Sequence, residues 1–147
     1  MAPKTNATVL AFDFGTHRIG VALGNTLIRF AQPLVTIAGD SETTTMAAIA
    51  ALVSEWQPQQ LVVGLPLHAD GSAHAMTAKT RAFAREIGKR FGLPVALVDE
   101  RWTTEAAQDQ LNRERGGRDR RVHRDAIAAQ LILQAYFDEQ QRDAGNP

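Results

Sequence analysis

The sequence predicts an α/β domain on one mixed sheet that opens antiparallel and closes parallel. Three observations carry this expectation. Between Val9 and Ile37, three strand-like stretches are joined by short turns, the arrangement of antiparallel neighbours. From Met46 to Val98 the pattern becomes helix, strand, helix, strand; a strand, long helix and strand form a crossover unit with parallel strands covered on both faces. The chain has 147 residues, 44% hydrophobic and 22% charged, enough for one domain (1–147) with one substantial core.

Val9 to Phe14 reads as the first strand, with Leu10, Phe12 and Phe14 on one face and Val9, Ala11 and Asp13 on the other. After the Gly15-Thr16-His17-Arg18 turn, bulky Ile19, Val21 and Leu23 alternate with Gly20, Ala22 and Gly24. One face of this second strand therefore admits close packing. A third strand is expected from about Leu27 toward Ile37, at a sheet edge because Pro33 cannot donate to a ladder.

Met46, Ile49, Val53 and Trp56 recur at helical spacing until Pro58. Leu61-Val62-Val63 is a short apolar strand, followed by the Gly64-Leu65-Pro66 break and an Asp70-Gly71 turn. A second helix carries Met76, Thr80, Phe83, Ile87 and Phe91 on one side and ends before Gly92 and Pro94. Val95 to Val98 is another apolar strand. Thr103 or Thr104 can cap a third helix through Leu111, an arginine-rich loop follows, and a last helix starts near Asp125. That helix is apolar almost all round and is expected to be largely buried.

Net charge is zero, with 16 basic and 16 acidic residues, so the bulk field selects no partner. Without cysteine, disulfides and thiolate metal sites are excluded. No apolar run approaches the roughly 20 residues needed to span a bilayer, and the N-terminus lacks a secretory apolar stretch. A cytoplasmic protein with no membrane partner is the simplest reading. Locally, Arg113, Arg115, Arg118, Arg120, Arg121 and Arg124 outnumber Glu114 and Asp119. Such a run is either a solvated loop or a phosphate-binding patch, for which the planar guanidinium fork is suited.

Three carboxylates sit where predicted elements begin or end. Asp13 lies near the end of the first strand, Glu100 just after the Val95–Val98 strand beside an equally placed Asp99, and Asp125 at the start of the last helix. Open α/β sheets bind ligands beyond the carboxyl ends of their strands. Each acid also has a plain structural role available: a turn cap, a partner for a nearby arginine, or a helix cap. Gathered together, they would repel by about 4 kcal/mol per pair at roughly 4 Å and an effective dielectric near 20. A divalent cation relieves that cost, so a shared pocket would point to metal chemistry. His17, His68, His74 and His123 show no ligand spacing and read as surface or loop residues. No G-x-S-x-G turn, phosphate loop or G-x-G-x-x-G is present.

Phe12-Asp13-Phe14-Gly15-Thr16-His17-Arg18-Ile19-Gly20-Val21-Ala22 resembles the opening of the YqgF (RuvX) family, known as pre-16S ribosomal RNA nucleases and as Holliday-junction-resolvase-like proteins. Three further blocks agree in order and spacing: Val62-Val63-Gly64-Leu65-Pro66 with Asp70-Gly71, Asp99-Glu100-Arg101-Trp102-Thr103-Thr104, and Asp125-Ala126-Ile127-Ala128-Ala129-Gln130-Leu131-Ile132-Leu133-Gln134. The resemblance spans about Val9 to Asp138. His17 departs from it, standing where the family often has lysine, and Trp102 occupies a variable position.

The resemblance implies an RNase H-like fold: a five-stranded mixed sheet, three antiparallel strands then two parallel, flanked by helices. It also implies an acidic site at Asp13, Glu100 and Asp125, favouring Glu100 over Asp99, and holding two Mg²⁺ or Mn²⁺ ions about 3.5–4 Å apart. The implied reaction is hydrolysis of phosphodiester bonds in structured RNA, such as precursor rRNA or a ribosomal particle, with Arg18, Arg101, Arg118, Arg121 and Arg124 on the phosphates. Rival readings are cleavage of branched DNA, a non-catalytic RNA- or ribosome-binding module, and an actin-like ATPase suggested by Asp13-Phe14-Gly15-Thr16. The ATPase would need a second domain.

Overall fold

The computed structural model describes residues 7–103 and 120–144. Strands β1 (Thr8–Phe14), β2 (Arg18–Asn25) and β3 (Phe30–Ala38) form an antiparallel meander, and β4 (Gln60–Leu65) and β5 (Val95–Asp99) add in parallel on the other side of β1. The sheet order is β3-β2-β1-β4-β5, the expected mixed sheet, with Asp13 on its central strand. Pro33 lies on edge strand β3, opposite Ala22, where the register shifts between Val21 and Ala22. An edge tolerates the missing N–H.

Helix α1 (Glu42–Trp56) begins at Ser41, whose hydroxyl accepts the Thr44 N–H, and ends at left-handed Gln57. Helix α2 (Thr77–Phe91) ends at Gly92, with φ of 64°. A 3₁₀ turn, Glu100–Thr103, follows β5, and α3 spans Arg120–Ala144.

The sheet separates two apolar layers. Leu10, Phe12, Val21, Leu61 and Val63 pack toward α1 and α2, with Met46, Ile49, Phe83 and Ile87. Val9, Ala11, Ala22, Val62 and Val98 pack toward α3, with Ala129, Ile132, Leu133 and Phe137. The two-residue alternation along β1 therefore puts Asp13 on the α3 side.

Four sequence expectations are corrected. The third strand starts at Phe30, not Leu27: the Asn25 side chain accepts the Leu27 N–H at 2.7 Å, and Arg29 adopts a φ of 52°, so Leu27 and Ile28 form an exposed turn. The last helix starts at Arg120, five residues before Asp125, so Asp125 occupies its second turn and is not its cap. Arg120, Arg121 and Arg124 consequently belong to a helix rather than a loop. That helix is also buried on one side only, with Ala128, Leu131 and Ala135 partly exposed. Apart from Thr103, the helix expected from Thr103 or Thr104 through Leu111 falls within 104–119, as do Arg113, Arg115 and Arg118, and these lie outside the described residues.

Candidate active site

Small residues decide how the acids meet. Asp13 pairs across β1 and β2 with Gly20. A Cβ on Gly20 would collide with the Asp125 carbonyl and lie 3.0 Å from the Ala126 nitrogen. On Gly24 it would press on Leu133 and Phe137 at 2.8 Å each. Glycine at both positions lets α3 lie directly on β2, which brings Asp125 beside the end of β1. Glu100 arrives from the other side. A Cβ on Gly64 would stand 2.8 Å from Glu100 Oε2, so the bare glycine leaves room for that carboxylate to reach over β4.

Asp13 and Glu100 share a side-chain hydrogen bond. Burial, then the charges of Glu100 and Asp125, push the Asp13 carboxyl up to about 8 from an ordinary 3.8. Glu100 is also raised, chiefly by burial, with Asp99 adding repulsion and the hydrogen bond to Asp13 opposing it. At neutral pH the pair as a whole holds a proton more tightly than free carboxyls do. Asp125 has a different partner: its Oδ2 accepts from Arg18 Nε at 2.5 Å.

The structure separates Asp99 from Glu100 on physical grounds. Asp99 accepts from Arg101 Nε at 3.0 Å on each oxygen, from a terminal Arg101 nitrogen at 2.5 Å, and from the Arg101 backbone N–H at 2.9 Å. These bonds hold its carboxyl below the usual range. Arg101 also donates to the Ala69 carbonyl at 3.1 Å, tying the end of β5 to the β4–α2 loop. Asp99 is thus spent on a brace, and Glu100 faces Asp13.

Of the other arginines, Arg124 is exposed one residue before Asp125. Arg121 falls in the first turn of α3. His74, read from the sequence as a surface or loop residue, is exposed in the β4–α2 loop. It lines a cleft of about 560 Å³ with Pro66, Leu67, Ala69, Glu100 and Arg101. Its Nδ1 accepts the Met76 N–H at 3.0 Å. No ligand spacing marks it in the sequence; only the loop's return past β5 puts it near Glu100.

Whether these residues suit a hard divalent cation can be judged from their chemistry. The donors are carboxylate oxygens, as Mg²⁺ or Mn²⁺ prefers, and Glu100 and Asp125 add their negative charge at Asp13. Among the described residues, no three acidic or imidazole side chains stand as a finished cage. Asp13 and Glu100 face one another while Asp125 is engaged by Arg18. The donor set is of the kind such a cation takes, with Asp125 held by Arg18.

Known proteins resemble the chain over nearly its whole length. A curated relative from Dechloromonas aromatica (strain RCB) is 51% identical over 132 residues, covering 89% of this chain and 90% of its own. Another from Nitrosomonas europaea is 50% identical over 140 residues, covering 94% of each. Both carry the name "Putative pre-16S rRNA nuclease". Among solved structures, Thermus thermophilus RuvC in complex with a Holliday junction substrate superposes with a TM-score of 0.56 at 14% identity, covering 92% of this chain and 96% of that one. The yeast mitochondrial Holliday junction resolvase Ydc2 gives 0.57 at 13% identity, covering 97% and 82%. These two likenesses identify the fold as the RNase H-like architecture expected from the sequence. The RuvX family model, described as Holliday junction resolvase, matches residues 7–139, and together with relatives half identical over that span it establishes that this chain belongs to the RuvX (YqgF) family.

Proposed function

We propose that this protein is a metal-dependent endonuclease that hydrolyses phosphodiester bonds in structured RNA and matures the precursor of 16S rRNA. The observation that carries the reading is the gathering of Asp13, Glu100 and Asp125, three mutually repelling acids, at the carboxyl ends of β1 and β5 and over Gly20 and Gly64. Structural acids would have been paired with bases, as Asp99 is with Arg101. Asp13 and Glu100 are instead half-buried beside each other, a costly arrangement that functional sites keep.

Asp13, Glu100 and Asp125 would hold two divalent ions. When bound, Mg²⁺ or Mn²⁺ would lower the pKa of the attacking water and stabilise charge on the leaving oxygen. The protein contributes position: Asp13 on the rigid central strand, Glu100 over Gly64, and Asp125 over Gly20. Arg124 and Arg18 stand beside Asp125, where they can hold the phosphate backbone without reading bases. Arg118 and Arg121 extend the same proposal along the chain, and the Arg101 brace fixes the wall of the adjoining cleft.

A second reading, cleavage of four-way DNA junctions, is favoured by the family description and by the fold shared with a resolvase solved on its junction. One experiment separates them. Purified protein is incubated with precursor 16S rRNA or with a four-way DNA junction, with Mn²⁺ present or chelated. The proposal expects Mn²⁺-dependent cleavage of the RNA and its loss in Asp13→Asn with RNA affinity retained. Cleavage of the junction alone would transfer the assignment to DNA, and a fully active, metal-stimulated Asp13→Asn would refute the acidic site.

A further inference from the structure

Two arginines touch acids at this end of the sheet, and they are held very differently. Arg101 is fixed by several hydrogen bonds to Asp99 and one to Ala69. Arg18 is held at a single point among the described residues, Nε to Asp125 Oδ2, and its side chain is 37% exposed. A guanidinium has five N–H donors in a planar fork, so this contact leaves most of them turned elsewhere. The Asp125 backbone cannot drift from the site, because its carbonyl rests against Gly20. The Asp125 carboxylate bonds Arg18, while its charge also acts on Asp13.

We propose that Arg18 is a positioning residue with two alternative partners, Asp125 in the free protein and a backbone phosphate in the complex. Docking of nucleic acid draws the guanidinium away, and the released Asp125 carboxylate completes the divalent-cation site. Nucleic acid and cation therefore bind cooperatively, each raising the affinity for the other by the same factor. The device keeps the cation site incomplete until a phosphate backbone is present. The inference rests on the nuclease reading above and adds the order in which its site is assembled.

The test measures Mn²⁺ affinity of the intact protein by calorimetry, without cleavage as the readout. Arg18→Gln should bind Mn²⁺ roughly tenfold to a hundredfold more tightly than the wild type, the range of a charge-assisted hydrogen bond. In an Asp125→Asn background the same substitution should change little, since Arg18 acts through that carboxylate. Arg124→Gln, an equal charge change with no contact to Asp125 among the described residues, should move the affinity far less. A phosphorothioate RNA hairpin should raise the wild-type affinity and leave Arg18→Gln almost unaffected. Arg18→Lys, which keeps the charge but loses the fork, should fall between the two. If Arg18→Gln tightens Mn²⁺ equally with and without Asp125, the effect is only that of a removed charge and the inference is overturned. If Mn²⁺ binds the wild type and Arg18→Gln alike, the inference fails while the nuclease reading stands. If neither the wild type nor Arg18→Gln binds Mn²⁺, both readings fall.

Discussion

Asp13→Asn should stabilise the metal-free protein above neutral pH, and the size of the effect follows from the site. The Asp13 carboxyl has an ordinary value of 3.8 and is pushed up to about 8 in the fold. Between those values the folded state holds a proton that the unfolded chain has lost, so stability falls as pH rises through this window. Each pH unit costs about 1.4 kcal/mol, which amounts to about 4 kcal/mol between pH 4 and pH 7. For a chain of this length that is a melting-point difference of roughly 10 °C. Asparagine cannot ionise, yet its amide can donate to Glu100 as the protonated carboxyl does. Asp99 and Asp70 are shifted the opposite way, so their contributions are lost only on acidification, below this window. The assay is thermal melting from pH 4.5 to 8 with chelator present, wild type against Asp13→Asn. The curves should nearly meet at the acid end and diverge steadily toward pH 8, with the variant more stable. Parallel curves would refute the proton-sharing pair. Excess Mn²⁺ should raise the wild type above the variant at pH 8.

Two further outcomes are expected. Gly64→Ala would put a methyl 2.8 Å from Glu100 Oε2 and against Ile132, so it should cost about 1–3 kcal/mol in urea unfolding and flatten the pH dependence just described by displacing Glu100. Wild-type stability and slope in that variant would mean Glu100 does not lie over Gly64. Asp99→Asn removes the charge from the Arg101 brace, and amide hydrogen exchange in residues 66–74 should accelerate while the Asp13-dependent slope stays; unchanged protection would show that the loop is held without Arg101.

Much of the fold was legible in the chain because its signals are local. Alternation in β1 and β2, the apolar runs of β4 and β5, and the Pro and Gly stops around α1 and α2 all act within a few residues. The small face of β2 announced a close neighbour, and Gly20 and Gly24 meet α3 there. Local signals also explain the misses. Leu27 and Ile28 look strand-like, but the Asn25 side chain turns the chain before β3. Asp125 looks like a cap, yet α3 is already helical at Arg120.

By itself, the sequence determined the sheet order's antiparallel-to-parallel logic, the absence of thiolate chemistry, and three acids at element ends. It could not decide which acids share a proton and which are neutralised by arginine. Residues 13 and 100, or 18 and 125, are far apart along the chain, and their interaction energies depend on distance and burial created only when α3 and β5 close on β1. That closure set Asp99 aside as a brace, joined Asp13 to Glu100, and gave Asp125 to Arg18.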